Sequence, residues 1–127
     1  MERQALKPEG VAQAPSPYSH VIVSGDLVYT AGQTPFDADR RLVSEEFDAQ
    51  ARQAFANLGR CLAAAGCGFE HVLKVTTFLA DLTGDFDAYN RIYREFFEPP
   101  YPARTTVQAG LLGFRIEVEA VARRPGS

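Results

Sequence analysis

The chain of 127 residues predicts one domain, because a chain of this length buries roughly two thirds of its unfolded surface around a single core. Its net charge of −3 argues against binding along nucleic-acid phosphates, which usually requires a basic face. The first twenty residues lack the apolar segment of a secretion signal, and no apolar run approaches the length of a membrane span. We therefore predict a soluble cytoplasmic protein with neither a nucleic-acid nor a membrane partner.

The first segment, residues 1–17, contains three prolines, at positions 8, 15 and 17. This composition excludes a helix and predicts an extended arm that precedes the rest of the single domain, 1–127. Two apolar, β-branched runs follow at 19–23 and 27–31 and predict a pair of strands. Gly25 and Asp26 between them suit a tight hairpin turn.

The first helix is predicted over residues 44–65, after a polar surface loop with a short strand at 41–43. Apolar residues recur in it at spacings of three and four, and Gly66 and Gly68 end it. The resulting stripe is wide enough to lie on a sheet, and it consists of Phe47, Ala51, Ala54, Phe55, Leu58, Leu62 and Ala65.

A strand is predicted over residues 72–80, with alternate side chains on two faces. One face carries Leu73, Val75, Thr77 and Leu79, and the other carries Lys74, Thr76 and Phe78.

The second helix is predicted to begin at Asp85 as its N-cap and to end near Phe97. Its apolar stripe is aromatic and contains Phe86, Tyr89, Tyr93, Phe96 and Phe97. Asn90 falls within that stripe, so its amide either finds hydrogen-bond partners in the core or has a functional role.

Two further strands are predicted on either side of a glycine-bounded loop at 110–113. Arg104 begins the first of them. The second has Ile116, Val118 and Ala120 on one face and Glu117 on the other. A cation and a carboxylate on inner strands have two structural explanations, an ion pair or a solvated sheet face. The functional explanation is a site where Arg104 binds an anion and Glu117 accepts or donates a proton.

Two helices of this size can cover only one face of the predicted sheet. The uncovered face would combine charged residues with Phe78 and Val121, which is too mixed for a dry core and too apolar for water. This predicts an oligomer in which sheets pack around a symmetry axis and leave partly polar clefts between subunits.

No metal site is predicted, because Cys61, Cys67, His20 and His71 have no partners at the spacings of a zinc or redox motif. The adjacent Ser19 and His20 lack the third group of a catalytic triad.

Several motifs together resemble the RidA/YjgF family of enamine/imine deaminases, also labelled endoribonuclease L-PSP, from Pro17 onward. They are Pro17-Tyr18-Ser19, Ala31-Gly32-Gln33-Thr34-Pro35, Val75-Thr76-Thr77-Phe78, Asn90 with Tyr93 and Phe96-Phe97, Pro102-Ala103-Arg104-Thr105-Thr106-Val107, and Ile116-Glu117-Val118-Glu119-Ala120-Val121.

The resemblance implies an α+β, chorismate-mutase-like mixed sheet with two helices on one face, in which the last strand inserts near the centre. It also implies a homotrimer with a site in each cleft between subunits. Arg104 and Glu117 would be catalytic, and the substrate-binding positions would be Tyr18, Ala31, Gly32, Asn90 and Thr106.

The activity implied is that of a 2-iminobutanoate/2-iminopropanoate deaminase, a hydrolase of C=N bonds. It converts 2-aminoacrylate and related 2-imino acids to 2-keto acids and ammonia. Arg104 would bind the substrate carboxylate and Glu117 would activate water, with no cofactor, since the imine is already electrophilic.

The chain departs from the family pattern at four positions. Ala31 and Thr106 stand where many members have serine and cysteine, and Ser16 and His20 replace a common glycine and glutamine. These changes bear on the preference for the substrate side chain and leave Arg104 and Glu117 in place.

Two alternatives to a deaminase follow from the same residues. One is a non-catalytic, trimeric carboxylate-binding or regulatory protein, which the absence of a hydroxyl at Ala31 favours. The other is a ribonuclease, which the acidic net charge and the lack of paired histidines or a metal cluster disfavour.

Overall fold

A computed structural model of the chain describes residues 2–126, in which six strands form one mixed sheet. The strands lie in the order β1-β2-β3-β6-β4-β5. Only β4 and β5 are parallel, and all other neighbours are antiparallel. Their bounds are β1 Gln4–Leu6, β2 Val21–Ser24, β3 Leu27–Thr30, β4 Val72–Leu79, β5 Ala103–Gln108 and β6 Ile116–Arg123.

Two helices cover one face of this sheet, as predicted. Helix α1 spans Phe47–Ala64 and α2 spans Leu82–Phe96, with a single 3-10 turn at Phe69–His71 before β4. The mixed α+β class and the central position of the last strand are confirmed, since β6 lies between β3 and β4. The trimer remains a prediction.

The core lies between the helices and the inner face of the sheet. The predicted alternation of β6 is confirmed, because Ile116, Val118 and Ala122 are fully buried while Glu117 and Glu119 are only partly buried. From α1, the fully buried side chains include Phe55 and Leu58. Burying one such large apolar side chain stabilises the fold by roughly 1.5–3 kcal/mol.

The aromatic stripe of α2 packs against α1 around Phe55. The ring centroid of Phe55 lies 5.1 Å from that of Phe96, 5.8 Å from that of Tyr93 and 6.3 Å from that of Tyr89. These contacts pack α2 against α1, and contacts of Tyr89 with Thr77 on β4 and Arg104 on β5 place α2 over those two strands.

The prediction of Asp85 as N-cap of the second helix is wrong. The N-cap is Asp81, four residues earlier, and its side chain accepts a hydrogen bond from the Gly84 amide at 3.1 Å. Asp85 instead lies inside α2, where its carboxylate accepts two hydrogen bonds from Arg115 Nη2, at 2.7 and 3.0 Å.

Leu73 was predicted on the buried face of β4 but is 46% exposed. The register of β4 against β6 shifts between Val72 and Lys74, so the extra residue turns outward as in a β-bulge. Beyond the bulge the predicted alternation holds, since Val75, Thr77 and Leu79 are fully buried.

Two other local predictions change in detail. Part of the extended arm is a strand, because β1 pairs with β2 at the edge of the sheet. The short strand expected at 41–43 is a single bridge between Phe36 and Leu42.

Candidate functional site

Glu117 lies on the face of the sheet that the helices leave uncovered, next to the backbone of Gly32. A Cβ added to Gly32 would approach the Glu117 side chain to 2.7 Å at Cδ and 2.8 Å at Cγ. Burial raises the pKa of the Glu117 carboxyl above its ordinary value of 4.5, and the negative charge of Glu119 raises it further. A carboxyl of this kind is suited to exchange protons nearer neutral pH.

The segment around Gly32 is held against β6 by backbone hydrogen bonds. The Gln33 amide donates to the Val118 carbonyl at 2.6 Å, and the Val118 amide donates back to Gln33 at 3.0 Å. The buried side chain of Asn57 on α1 donates to the carbonyls of Thr34 and Phe36, at 2.8 and 2.9 Å. The predicted positions Ala31 and Gly32 therefore lie in a fixed segment beside Glu117.

Tyr18 belongs to the same side of the site. Its pKa is raised by burial and by the negative charge of Glu117, and lowered in part by Arg40. The phenol remains 45% exposed, so it is free to contact a ligand. Its ring meets the His20 ring edge-on, with 5.5 Å between centroids.

His20 and Gln33 connect the arm to this cluster, and sequence reasoning assigned neither a role. His20 Nε2 lies 2.8 Å from the Ala12 carbonyl, so it donates, and His20 Nδ1 therefore accepts from Gln33 Nε2 at 3.1 Å. Gln33 Nε2 also donates to the Ala31 carbonyl at 3.1 Å. The only signal in the sequence was the departure from glutamine at His20.

Arg104 lies on the other face of the sheet, under α2. In the parallel pair of β4 and β5, Arg104 is opposite Val75, whose side chain is fully buried beneath the helices. Its guanidinium carbon lies 4.8 Å from the ring centroid of Tyr93 and 5.0 Å from that of Tyr89. Within residues 2–126, no carboxylate lies within 4 Å of it.

A cavity of about 330 Å³ opens beside this guanidinium, and Asn90, Tyr93 and Tyr101 help to line it. Thr106 lies two residues beyond Arg104 on the same side of β5, and its hydroxyl is buried without a hydrogen-bond partner in the described residues. Asn90 and Arg104 thus share a cavity in which an amide and a guanidinium are available to an anion, whereas the Thr106 hydroxyl is buried beside Arg104 and does not line that cavity.

One chain does not bring Glu117 and Arg104 together. On β4, Glu117 lies opposite Phe78 and Arg104 lies opposite Val75. Glu117 and Arg104 are therefore two strand spacings apart across the sheet and three residues apart along the strands. This separates their Cα atoms by about 14 Å, and their side chains point to opposite faces. The expected joint action of Arg104 and Glu117 therefore requires a second copy of the chain.

The described residues contain no group of three or more histidine, cysteine, aspartate or glutamate side chains placed to share a metal ion. Burial raises the pKa of the Cys61 thiol to about 12, which makes it a poor nucleophile. Neither helix of residues 2–126 combines the length and apolarity needed to cross a bilayer.

Comparison with known proteins identifies the family. A family model described as Endoribonuclease L-PSP matches residues 10–124. A human protein named 2-iminobutanoate/2-iminopropanoate deaminase is 42% identical over 117 residues, which cover 87% of this chain and 85% of the human protein. Protein DfrA of Myxococcus xanthus is 38% identical over 127 residues, covering 96% of each chain.

Two solved structures have the same fold. The crystal structure of YEO7_yeast superposes with a TM-score of 0.92 at 30% identity, covering 97% of this chain and 99% of that one. RidA from an Antarctic Psychrobacter superposes with a TM-score of 0.88 at 34% identity, covering 94% and 98%. The chain therefore belongs to the RidA/YjgF family, the family described as endoribonuclease L-PSP.

Proposed function

We propose that the protein is an imine deaminase that hydrolyses 2-imino acids, including the imine tautomer of 2-aminoacrylate, to 2-keto acids and ammonia. The observation that carries the proposal is the guanidinium of Arg104, which lines a cavity and has no carboxylate within 4 Å in the described residues. Relatives covering most of the chain bear the name of such a deaminase, which supports an enzymatic role.

The reaction begins when Arg104 binds the substrate carboxylate through two parallel N–H···O bonds, for which its planar fork is suited. Such a charge-assisted pair contributes roughly 1.5–3 kcal/mol and directs the C=N carbon toward the carboxyl of Glu117. Asn90 offers a further polar group beside the bound acid.

Glu117 then accepts a proton from water while the water oxygen bonds to the imine carbon, which gives a tetrahedral carbinolamine. With the substrate nitrogen protonated at the start, returning that proton gives the nitrogen its third hydrogen. Glu117 then takes the hydroxyl proton as the carbonyl forms, and the C–N bond breaks to release ammonia. Burial raises the pKa of Glu117, so the same group can both accept and return the proton. Tyr18 would close over the ligand from the side of Glu117.

Each active site would combine two chains. Because Arg104 and Glu117 lie on opposite faces of the sheet, one copy would supply Tyr18, Ala31, Gly32 and Glu117, and a neighbour would supply Asn90, Arg104 and Thr106. A closed ring of three chains repeats this pairing at every interface. The uncovered face, with its exposed Tyr29 and partly exposed Phe78, would be covered in such a ring.

Subunit mixing tests this arrangement. Arg104→Ala and Glu117→Ala variants should each have low activity toward 2-iminopropanoate generated in the assay. After equal amounts are unfolded and refolded together, every mixed trimer contains one intact pair. Random assembly then restores about a quarter of wild-type activity. The control is each variant refolded alone.

The outcome that would contradict the shared site is a mixture no more active than the two variants refolded alone. Wild-type protein that does not accelerate imine hydrolysis, or Arg104→Ala with wild-type activity, would remove the deaminase assignment itself.

A non-catalytic, carboxylate-binding protein is the second candidate, because Ala31 offers no hydroxyl in the segment beside Glu117. Tight binding of 2-ketobutyrate without turnover of any 2-imino acid would favour it. Binding that competes with turnover would favour the enzyme.

A further inference from the structure

The ring faces of α2 surround the guanidinium of Arg104. Its central carbon lies 4.8 Å from the centroid of Tyr93, 5.0 Å from that of Tyr89 and 5.9 Å from that of Phe86. All three distances fall within the range of about 6 Å at which an aromatic face attracts a cation. We propose that these three residues, the aromatic clamp, are positioning residues that hold Arg104 ready for a carboxylate. The proposal rests on the proposed function for the identity of that carboxylate.

The clamp is rigid because its two inner rings are buried and held by other contacts. Tyr89 is fully buried, and its hydroxyl lies 2.6 Å from that of Thr77 on β4. Tyr93 is 4% exposed, and its ring stacks on that of Phe97 with 4.4 Å between centroids. The three clamp residues recur at spacings of three and four along α2, so the helix presents them on one side.

Arg115 shows the alternative way in which this fold holds an arginine. Its guanidinium carbon also lies near a ring, 5.5 Å from that of Phe47. However, its Nη2 donates to both carboxylate oxygens of Asp85. Arg115 therefore has its charge neutralised and two nitrogens committed inside the chain, since its Nη1 also donates to the Glu45 carbonyl at 3.4 Å.

Arg104 differs because the rings of the clamp attract its charge, and no carboxylate in the described residues neutralises it. An aromatic face interacts with the cation as a whole, whereas a carboxylate accepts from individual N–H donors. Burial raises the pKa of Tyr93, so the phenol stays neutral and does not become an anionic partner of the arginine. The clamp thus orients a guanidinium that keeps N–H donors for an incoming acid.

Two substitutions of Tyr93 distinguish the contribution of its ring from that of its hydroxyl. The readout is the affinity for 2-ketobutyrate, measured by calorimetry, which reports on Arg104 without requiring turnover. Tyr93→Phe keeps the aromatic face and should bind within about twofold of wild type. Tyr93→Leu removes it and should raise Kd by roughly two- to thirtyfold, the range of one cation–π contact. In turnover assays, KM should rise more than kcat falls, since the carboxylate is bound before and during the reaction.

A merely structural role for Tyr93 is excluded by two controls. In an Arg104→Ala background, Tyr93→Leu should cause no further loss of affinity, because the residue acts through the arginine. Phe47→Leu removes the corresponding ring from Arg115 and should leave Kd unchanged. If Tyr93→Leu does not fold, Phe86→Leu tests the same contact at a site that is 36% exposed, with a smaller expected effect.

The clamp would be overturned if Tyr93→Leu and Phe47→Leu lost equal affinity for 2-ketobutyrate, or if the losses of Tyr93→Leu and Arg104→Ala were additive. It would also be overturned if Tyr93→Phe lost as much affinity as Tyr93→Leu, or if the wild type did not bind 2-ketobutyrate. Coupled binding losses without any imine hydrolysis would leave the clamp intact while removing the proposed function. Imine hydrolysis by the wild type, with no coupling between Tyr93 and Arg104 in binding, would support the proposed function and remove the clamp.

Discussion

Gly32 lies directly beside the carboxyl of the proposed general base. A side-chain methyl group there would overlap the carboxyl end of Glu117, so Gly32→Ala must displace that carboxyl. We expect kcat to fall on the order of ten- to a hundredfold, since displacing a reacting group by about 1 Å has effects of this size. Steady-state kinetics on 2-iminopropanoate would measure it.

Gly110→Ala is the matched control, because a Cβ at Gly110 meets no atom within 4 Å. Wild-type kcat in Gly32→Ala would show that Glu117 either tolerates displacement or is not the base.

The proximity of Glu117 and Glu119 on β6 leads to a prediction for the pH dependence of kcat/KM. Glu117 accepts a proton only when ionised, so kcat/KM should fall as pH decreases through its pKa, which is raised above 4.5 by burial and by the charge of Glu119. Glu119→Gln removes that charge and lowers the pKa of Glu117. The acid limb of the profile should therefore move to lower pH.

The measurement is the ratio of kcat/KM between variant and wild type at each pH, which cancels protonation of the substrate. Glu45→Gln, at an exposed position before α1, should leave the profile unchanged. Superimposable acid limbs in Glu119→Gln and wild type would remove Glu117 from the titration.

At the scale of the elements, the N-cap of α2 leads to a prediction for the stability of the fold. Asp81→Ala removes the side chain that accepts from the Gly84 amide and should lower the free energy of unfolding by about 1 kcal/mol. Asp87→Ala, on the exposed side of the same helix, should have little effect. Urea unfolding of the three proteins at one concentration checks this, and equal midpoints for Asp81→Ala and wild type would contradict the cap.

The elements also show what a linear sequence can and cannot specify. The stripes of α1 and β6 were predictable because burial follows the periods of helix and strand. Asp81 and Asp85 could not be ranked as caps, since both are acidic and only the geometry of the first turn selects between them. The burial of Asn57 was also missed, because its partners are loop carbonyls distant in sequence.

The site was predictable in its residues but not in its arrangement. Motifs identified Arg104 and Glu117, whereas their faces depend on which strands pair. Arg104 turns toward the helices because it lies opposite the buried Val75, and Glu117 turns away because it lies opposite Phe78 on the uncovered face. The contacts of Arg104 with Tyr89 and Tyr93 follow from that pairing, which no local pattern encodes.

At the scale of the whole molecule, the uncovered face of the sheet predicts assembly. Phe78 is the large apolar side chain near its centre, between Val107 and Glu117 in register. Phe78→Asp should prevent association, because it places an unpaired charge in the interface. Light scattering should then give a mass near the 13.9 kDa of one chain, whereas wild type should give about three times that value.

Val43→Asp, on the loop before α1, is the control and should keep the wild-type mass. A wild-type protein with the mass of one chain, or a Phe78→Asp variant with the wild-type mass, would contradict assembly through this face. The variant should also lose activity, since the proposed sites need two chains.

The central position of β6 has a consequence for how the protein matures in the cell. This strand joins β3 to β4, yet it is synthesised after both. Until β6 has left the ribosome, the strands β1–β3 and the strands β4–β5 form two separate half-sheets. The edges of β3 and β4 that β6 will join remain unpaired. Such edges recruit other strands, so the nascent chain should depend on chaperones most during this interval, and truncation before β6 should produce aggregates rather than a smaller folded unit.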